Sequence, residues 1–367
     1  MGVPVEPFAI HVDDAVLDDL HERLARTRFA DQIEGTGWEY GIPLDYLREL
    51  VAYWLTEYDW RAQEQRLNEL EHFRTTVDGQ SIHFIHERST EADAFPILLT
   101  HGWPGSVVEF LDVIPRLSNF HLVVPSLPGY GFSEPTRTRG WDPTRIARAF
   151  AELMSELGYA RYGAQGGDWG AQVTTGIGAL DPEHCAAVHL NMPLAIPPKE
   201  EVALTDQDKA DLAAIQAFAK EESGYSAEQS TKPQTLGVGL NDSPAGLLAW
   251  IVEKFRAWSD CGGDPETVFT RDQLITNVMT YWVTSTITSS ARLYWEHRHN
   301  RERQQHVGVP TGIARYPHEI LRYPRSWVER WYNVTHWADM PRGGHFAAME
   351  QPELFADDLR AFFGTAR

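Results

Sequence analysis

The segment Ala164-Gln165-Gly166-Gly167-Asp168-Trp169-Gly170 decides the fold of this chain. A strand-like run ends at Gln165, a helix-like run begins at Ala171, and glycines stand on both sides of one reactive residue, Asp168. This is the nucleophile-elbow pattern, in which small residues permit a strained strand-to-helix turn whose central side chain projects outward. The segment therefore predicts that Asp168 is held out for reaction.

An aspartate at the elbow narrows the chemistry. A carboxyl group with an ordinary pKa of about 3.9 is ionised at neutral pH and is nucleophilic without a base, unlike a serine hydroxyl. Its attack on a saturated carbon that bears a strained or good leaving group gives an ester, so the expected substrates are epoxides or alkyl halides. The alternative is a turn aspartate that caps the following helix.

Strand and helix signals alternate before the elbow, which predicts a mostly parallel sheet covered on both faces. Asp78-Gly79 is a strong turn dipeptide at the centre of a predicted hairpin. The predicted elements are the hairpin strands 75–77 and 81–86, a buried strand at 95–101, a helix at 107–117, a strand at 122–125 and a helix at 143–157.

The alternation is framed by helical segments. Amphipathic helices are predicted at 13–26, 44–58 and 61–70, and after a sixth strand at 186–190 the chain is largely helical, with loops at 223–235 and 260–265. Strands at 307–311 and 333–337, a helix near Trp327 and a terminal helix at 352–363 then restore the alternation. An excursion of this size between two strands indicates an inserted cap.

These signals divide the chain into four parts. They are a helical N-terminal lobe at 1–72, the first part of an α/β core at 73–190, a helical cap at 191–299 and the second part of the core at 300–367.

Composition excludes several classes of function. The formal net charge of −20 argues against nucleic acid and anionic lipid as partners. The two cysteines, Cys185 and Cys261, are far apart, and His297, His299 and His306 do not match the two-histidine zinc motif. With no secretory signal and no run of about 18 apolar residues, a soluble cytoplasmic protein is expected.

Two downstream residues follow the chain order of an α/β-hydrolase, in which an acid and then a histidine come after later strands. Glu319 follows the strand 307–311, and His345, in a Gly-Gly-His loop, follows the strand 333–337. Taken alone, that loop is more often structural and Glu319 is a helix start. Taken together with Asp168, the two residues predict a mechanism. His345 activates water for attack on an ester of Asp168, and Glu319 orients the histidine.

The tetrahedral intermediate of that hydrolysis needs hydrogen-bond donors for its oxyanion. The backbone N–H groups of Trp169, directly after the nucleophile, and of Trp103, on the loop after the strand 95–101, are predicted to supply them.

Four motifs together resemble the microsomal and juvenile-hormone type epoxide hydrolases, over nearly the full chain. They are His101-Gly102-Trp103-Pro104-Gly105-Ser106, the elbow 166–170, Leu240-Asn241-Asp242-Ser243-Pro244 and Arg342-Gly343-Gly344-His345-Phe346-Ala347-Ala348. The resemblance implies an α/β-hydrolase fold with a helical cap, and no cofactor or metal. Mammalian microsomal members carry an N-terminal membrane anchor; here no membrane attachment is expected.

The resemblance also implies two cap tyrosines that hold the epoxide oxygen. By motif context these fall on Tyr225 and Tyr294. Tyrosines suit this role because an opening oxirane develops alkoxide character and a phenol can protonate it. Tyr281, Tyr316 and Tyr323 are interpreted as packing residues.

The sequence thus predicts an epoxide hydrolase that gives a vicinal diol through an aspartyl ester. The alternatives are a haloalkane dehalogenase and a catalytically silent ligand-binding protein on the same fold. The aromatic residues of the lobe and cap suggest a bulky or aryl epoxide. Soluble bacterial relatives include enzymes of natural-product pathways, such as those to enediynes, so both a biosynthetic and a detoxifying role stay open. A homodimer is left open as well.

Overall fold

Nine strands form one sheet in the computed structural model, which describes residues 4–91, 93–200, 202–300 and 306–365. In chain order they are β1 (Glu6–Phe8), β2 (His72–Val77), β3 (Gln80–Glu87), β4 (Pro96–Thr100), β5 (His121–Pro125), β6 (Tyr162–Gly166), β7 (Cys185–Leu190), β8 (Val307–Arg315) and β9 (Tyr332–Asp339). Their spatial order is β1-β2-β3-β5-β4-β6-β7-β8-β9. The first three neighbouring pairs are antiparallel and the other five are parallel, which confirms the mostly parallel sheet.

Helices surround this sheet and fill the long segment between β7 and β8. The described residues form α1 (Asp14–Ala25), α2 (Leu44–Thr56), α3 (Trp60–Leu67), α4 (Pro143–Glu156), α5 (Asp168–Leu180), α6 (Asp206–Glu221), α7 (Gly224–Thr231), α8 (Pro233–Asp242), α9 (Pro244–Trp258), α10 (Arg271–Trp282), α11 (Ile287–His299), α12 (Arg325–Val328), α13 (Ala347–Glu350) and α14 (Pro352–Phe363). Short 3-10 turns occupy Val107–Phe110, Ile114–Leu117 and Pro265–Thr267.

The central strands are buried on both faces, which explains why they are apolar throughout rather than alternating. All of β4 is buried. Because successive side chains of a strand point to opposite faces, Leu98 packs into one hydrophobic core with α4 and α5, while Ile97 and Leu99 pack into the other with α14. The sheet therefore separates two cores, and its central strands are fixed from both sides.

Three elements differ from the sequence-based expectation. The edge strand β1 was not predicted, because three residues that include Pro7 show no alternation. Because β1 adds one strand to the count, the strand before the cap is the seventh, whereas the sequence predicted it as the sixth. The predicted helix at 107–117 is two 3-10 turns, the second opened by Pro115. The predicted loop at 223–235 is mostly helical, since Pro233 lies at a helix N-terminus, where proline is tolerated.

The N-terminal lobe packs onto the cap helices. Arg23 of α1 forms an ion pair with Asp242, with Nη1 and Oδ1 2.7 Å apart. Tyr53 of α2 donates a hydrogen bond of 2.7 Å to Asp272 of α10. Six helices, α6 to α11, lie between β7 and β8 in the described part of the chain. The four-part division of the chain stays a prediction.

The elbow lies where β6 runs directly into α5. Asp168, the first residue of α5, has a φ of +50°, in the left-handed region that side chains rarely adopt. A Cβ added at Gly170 would lie 2.0 Å from the carbonyl oxygen of Thr100, and one at Gly166 would lie 2.1 Å from the carbonyl oxygen of Gly170. The two glycines thus let α5 approach the ends of β4 and β6.

Gly170→Ala is expected to destabilise the protein by about 3 kcal/mol or more, because its methyl group would overlap a backbone carbonyl that cannot move away. Urea denaturation followed by circular dichroism measures the change. Gly239→Ala is the matched control: a Cβ there meets nothing within 4 Å. In the helical setting of Gly239, alanine is expected to be neutral or to stabilise by up to about 1 kcal/mol. Equal stability of the two variants would contradict this account of the elbow.

Candidate active site

The side chain of Asp168 is held by the loop that follows β4. Its Oδ1 accepts a hydrogen bond of 2.8 Å from the backbone N–H of Trp103. A Cβ at Gly102 would lie 2.3 Å from the Asp168 carboxylate, so a glycine is required at that point of the loop. The carboxylate therefore has one oxygen fixed by a backbone donor, and its other oxygen, Oδ2, faces a histidine.

That histidine is His345, on the loop between β9 and α13. Its Nε2 lies 3.4 Å from Asp168 Oδ2, and its Nδ1 donates a hydrogen bond of 2.7 Å to Oε1 of Glu319, which follows β8. The same Oε1 accepts the backbone N–H of Ile320 at 2.7 Å. The structure thus brings the three side chains together, with His345 between Asp168 and Glu319.

The charges of this line determine the state of its histidine. Burial alone would lower the pKa of His345, but the carboxylates of Glu319 and Asp168 outweigh it and hold the pKa well above its ordinary value. While both carboxylates are ionised, His345 is therefore a cation at neutral pH.

Two cap tyrosines lie against the tryptophans next to this line. The ring of Tyr225 stacks on Trp103 with centroids 5.1 Å apart, and Tyr294 meets Trp169 edge-on at 4.7 Å. The two tyrosine rings are 5.9 Å apart. Burial raises the pKa of both phenols, and the negative charge of Asp168 adds to the effect, so both are protonated at neutral pH.

The other predicted site groups are less directly engaged. Among the described residues, the backbone N–H of Trp169 forms no hydrogen bond to the Asp168 carboxylate, although it belongs to the first turn of α5, whose N–H groups lack helical partners. Tyr281 donates its hydroxyl to the carbonyl of Gly105 at 2.5 Å, and Tyr316 packs under Gly343.

A carboxylate that the sequence analysis did not single out holds the His345 loop. Glu350 accepts the backbone N–H of Phe346 at 3.0 Å and that of Asp260, in the cap, at 2.8 Å. Burial raises its pKa to about 7. Its sequence signal was an acidic residue in an apolar stretch, 346–349, which becomes informative only when that stretch is known to be buried.

Two of the histidines set aside as metal ligands pack against aromatic rings. His297 packs edge-on against Trp169 at 5.1 Å, and His299 stacks on Trp295. Within residues 4–91, 93–200, 202–300 and 306–365, no group of three or more histidine, cysteine or acidic side chains is arranged to hold a metal ion. Across the same residues, no helix has both the length and the apolar character needed to cross a bilayer.

Comparisons with known proteins show which family this chain is similar to. Residues 5–110 match a family model described as epoxide hydrolase N terminus, and residues 96–352 match the alpha/beta hydrolase fold. A protein of Stigmatella aurantiaca (strain DW4/3-1), provisionally named an epoxide hydrolase, is 46% identical, covering 99% of this chain and 86% of the relative. Epoxide hydrolase 1 of Sus scrofa is 38% identical, covering 98% and 88%. The crystal structure of juvenile hormone epoxide hydrolase from the silkworm Bombyx mori superposes with a TM-score of 0.93 at 35% identity, covering 100% of this chain and 95% of that one.

The sheet order, the elbow and the two family models define an enzyme of the α/β-hydrolase fold. The full-length similarity then narrows the class, and this chain belongs to the epoxide hydrolase family. Its substrate is accordingly a small molecule with an epoxide ring.

Glu319→Gln is expected to lower the pKa of His345, because it removes the negative charge that Nδ1 contacts at 2.7 Å. Titration of histidine-labelled protein by NMR, with His345 assigned from the spectrum of His345→Gln, measures the change. The matched control is Asp358→Asn on α14, which removes the negative charge that His189 and His336 contact. This change should leave the pKa of His345 unaffected. An unchanged His345 titration in Glu319→Gln would show that the ion pair does not set its protonation.

Proposed function

We propose that this epoxide hydrolase forms a covalent ester between Asp168 and its substrate and hydrolyses the ester to a vicinal diol. The observation that carries the proposal is the asymmetry of the Asp168 carboxylate. Oδ1 accepts the backbone N–H of Trp103 at 2.8 Å, whereas Oδ2 faces Nε2 of His345 at 3.4 Å and, among the described residues, accepts no backbone N–H. A carboxylate used only to cap α5 would instead accept N–H groups of its own helix.

Ring opening is the first step. Oδ2 of Asp168 forms a bond to one epoxide carbon, the bond from that carbon to the ring oxygen breaks, and the oxygen takes a proton from the phenol of Tyr225 or Tyr294. Both phenols are protonated at neutral pH, as a proton donor must be. The charge of Asp168 is one cause of their raised pKa, so its loss in ester formation makes them stronger acids as the alkoxide develops. Formation of the ester removes the charge of Asp168.

Loss of that charge changes His345. Of the two carboxylates that raise its pKa, only Glu319 is left after the ester forms, so the pKa of His345 falls. The imidazolium then gives up its proton, which through solvent restores the phenol that was deprotonated in ring opening. The histidine therefore becomes a base only after the ester exists. Water then adds to the ester carbonyl, one of its protons goes to Nε2, and Oδ1 carries the oxyanion against the N–H of Trp103. When the intermediate collapses, the bond between Cγ and Oδ2 breaks, and Oδ2 leaves as the diol oxygen with the proton from Nε2. The regenerated carboxyl loses the other proton of the water, which returns His345 to its cationic form.

His345→Gln is expected to stall after ring opening, because the ester forms but no base activates water. Intact-protein mass spectrometry with excess styrene oxide should show a gain of one substrate mass, and peptide mapping should place it on Asp168. The control is the double variant Asp168→Ala, His345→Gln, which should show no adduct. Absence of the adduct from a folded His345→Gln protein would falsify the covalent route.

Removal of the phenols should slow ring opening specifically. The double variant Tyr225→Phe, Tyr294→Phe is expected to reduce the single-turnover rate of ester formation by about 10²- to 10⁴-fold, the range typical of a lost proton donor. Each single variant should lose less, because the other phenol remains. Tyr323→Phe, whose half-buried ring packs against Trp327, is the control and should react at the wild-type rate. Wild-type ring opening in the double variant would exclude the tyrosines as donors.

A bulky or aryl epoxide is the substrate class that we favour. Support comes from the aromatic rings near Asp168. Those of Trp103, Tyr225 and Trp258 contact one another, at centroid distances of 5.1 to 6.2 Å. A panel of styrene-oxide-like and short aliphatic epoxides, with chiral analysis of the diols, tests this class. Higher kcat/KM for the aliphatic epoxides would contradict it.

A cytoplasmic location and a homodimer belong to the same proposal. The location is supported by Cys185 and Cys261, which are both buried and unpaired, as suits a reducing compartment. Fractionation of cells that produce the protein tests the location, and light scattering tests whether its mass in solution is that of two chains.

A further inference from the structure

A lysine of the cap is buried against one of the two tyrosines. Lys254 lies on α9, one turn before the C-terminus of that helix, and only 7% of its surface is exposed. Its ammonium nitrogen, Nζ, lies over the ring of Tyr225, 5.1 Å from the ring centroid, and 5.9 Å from the ring centroid of Trp258. Lysine is almost never buried to this extent unless its charge is paired.

Two acidic side chains pair with this ammonium group. Nζ contacts Oε2 of Glu253, the preceding residue of α9, and lies 3.9 Å from Oε2 of Glu222. Glu222 is the C-terminal cap of α6, two residues before α7 begins. Both glutamate side chains are more exposed than that of the lysine. The pairs therefore offset the cost of burying a positive charge, and they hold that charge at the ring of Tyr225.

The two tyrosines differ in this respect. Among the described residues no lysine or arginine lies over the ring of Tyr294, which contacts the rings of Trp169 and Tyr225 instead. A cation over an aromatic ring is attracted to it, and a nearby positive charge favours the ionised form of a phenol. Of the two phenols, Tyr225 is thus the one whose anion would have a counter-charge beside it.

The ammonium also offsets a carboxylate that acts on the same phenol. Burial and the charge of Asp168 raise the pKa of Tyr225, and the charge of Glu253 adds to them. Since Nζ of Lys254 contacts Glu253 directly, the lysine counters the repulsion that this carboxylate would exert on a phenolate. Removal of the lysine charge alone would leave Glu253 unpaired near Tyr225.

We propose that Lys254 makes Tyr225 the phenol that gives its proton to the opening epoxide, by placing a positive charge beside the phenolate that remains. The inference rests on the proposed ester mechanism. As Oδ2 of Asp168 bonds to the epoxide carbon and the carbon–oxygen bond breaks, the ring oxygen takes the proton of Tyr225. Tyr294 donates a hydrogen bond to the same oxygen and keeps its proton. Lys254 exchanges no proton and is a positioning residue.

This role confines the effect of Lys254 to one step of the reaction. A phenolate arises only in ring opening, whereas hydrolysis of the ester depends on His345. The charges that raise the pKa of His345 are those of Glu319 and Asp168. Loss of the lysine charge should therefore slow the formation of the ester and leave its hydrolysis unchanged.

The test follows both steps in single turnovers of styrene oxide, with the ester measured by quenched-flow mass spectrometry. Lys254→Met keeps an unbranched apolar chain and removes the charge. Ester formation is expected to slow by about tenfold and ester hydrolysis to stay within about twofold of the wild type. Lys254→Arg keeps the charge and should restore most of the rate. Lys209→Met, at an exposed lysine of α6, is the matched control and should match the wild type in both steps.

The same substitution in two tyrosine backgrounds separates the proposed role from a structural one. Where Tyr225 remains, in Tyr294→Phe, Lys254→Met should again slow ester formation by about tenfold. In Tyr225→Phe, the same change should alter the rate by less than about twofold, because the phenol on which the charge acts is gone. Equal slowing in both backgrounds, or equal slowing of the two steps, would indicate a structural role and overturn the proposal.

Two further outcomes are decisive. Wild-type ester formation in a folded Lys254→Met protein would overturn the proposal. If that variant does not fold, because Glu253 is left unpaired, the double variant Glu253→Gln, Lys254→Met is compared with Glu253→Gln, and equal rates of ester formation would overturn it. Failure of the proposed mechanism has a different signature: Tyr225→Phe alone would then form the ester at the wild-type rate, or His345→Gln would accumulate no ester.

Discussion

The close approach of α5 to the end of β4 is the constraint on which the rest of the site depends. At Gly170 the two backbones leave no room for even a methyl group beside the carbonyl of Thr100. This contact sets the start of α5 next to the loop after β4, so that the N–H of Trp103 meets the Asp168 carboxylate. The left-handed φ of Asp168 is stabilised by this packing, since an isolated turn would not keep an aspartate in that conformation.

A second constraint is electrostatic. Asp168, Glu319, Glu350 and Glu109 surround one histidine, and such a set cannot all be ionised in a buried space without cost. The raised pKa values of Glu109 and Glu350 relieve the repulsion, because both carboxyls can stay protonated near neutral pH. The negative charge is then concentrated on the two carboxylates that contact His345 directly, and in the proposed mechanism the ester of Asp168 removes one of them.

The sequence predicted the elements whose signals are local. The elbow was predictable because its glycines and its central aspartate are adjacent, and the chain order of Glu319 and His345 follows from strand alternation. The strand β1 was not predictable, because Glu6–Phe8 is ordered by pairing with β2, more than sixty residues away. Glu109 and Glu350 were missed for a related reason. A single acidic residue acquires meaning only from its burial and neighbours, and those are properties of the packed molecule.

The cap is tied to the histidine loop rather than resting freely above it. The N–H of His345 bonds to the carbonyl of Trp258 at 2.9 Å, and the N–H of Gly343 bonds to Asp260 at the same distance. Because Glu350 in turn accepts the N–H of Asp260, widening the cap at this edge would break bonds that hold His345 in place. Trp258 also contacts the rings of Tyr225 and His345, so the same residue positions the proposed proton donor and the proposed base. Their separation is therefore maintained by the junction at Trp258, and substrate must be admitted where the cap is not joined to this loop.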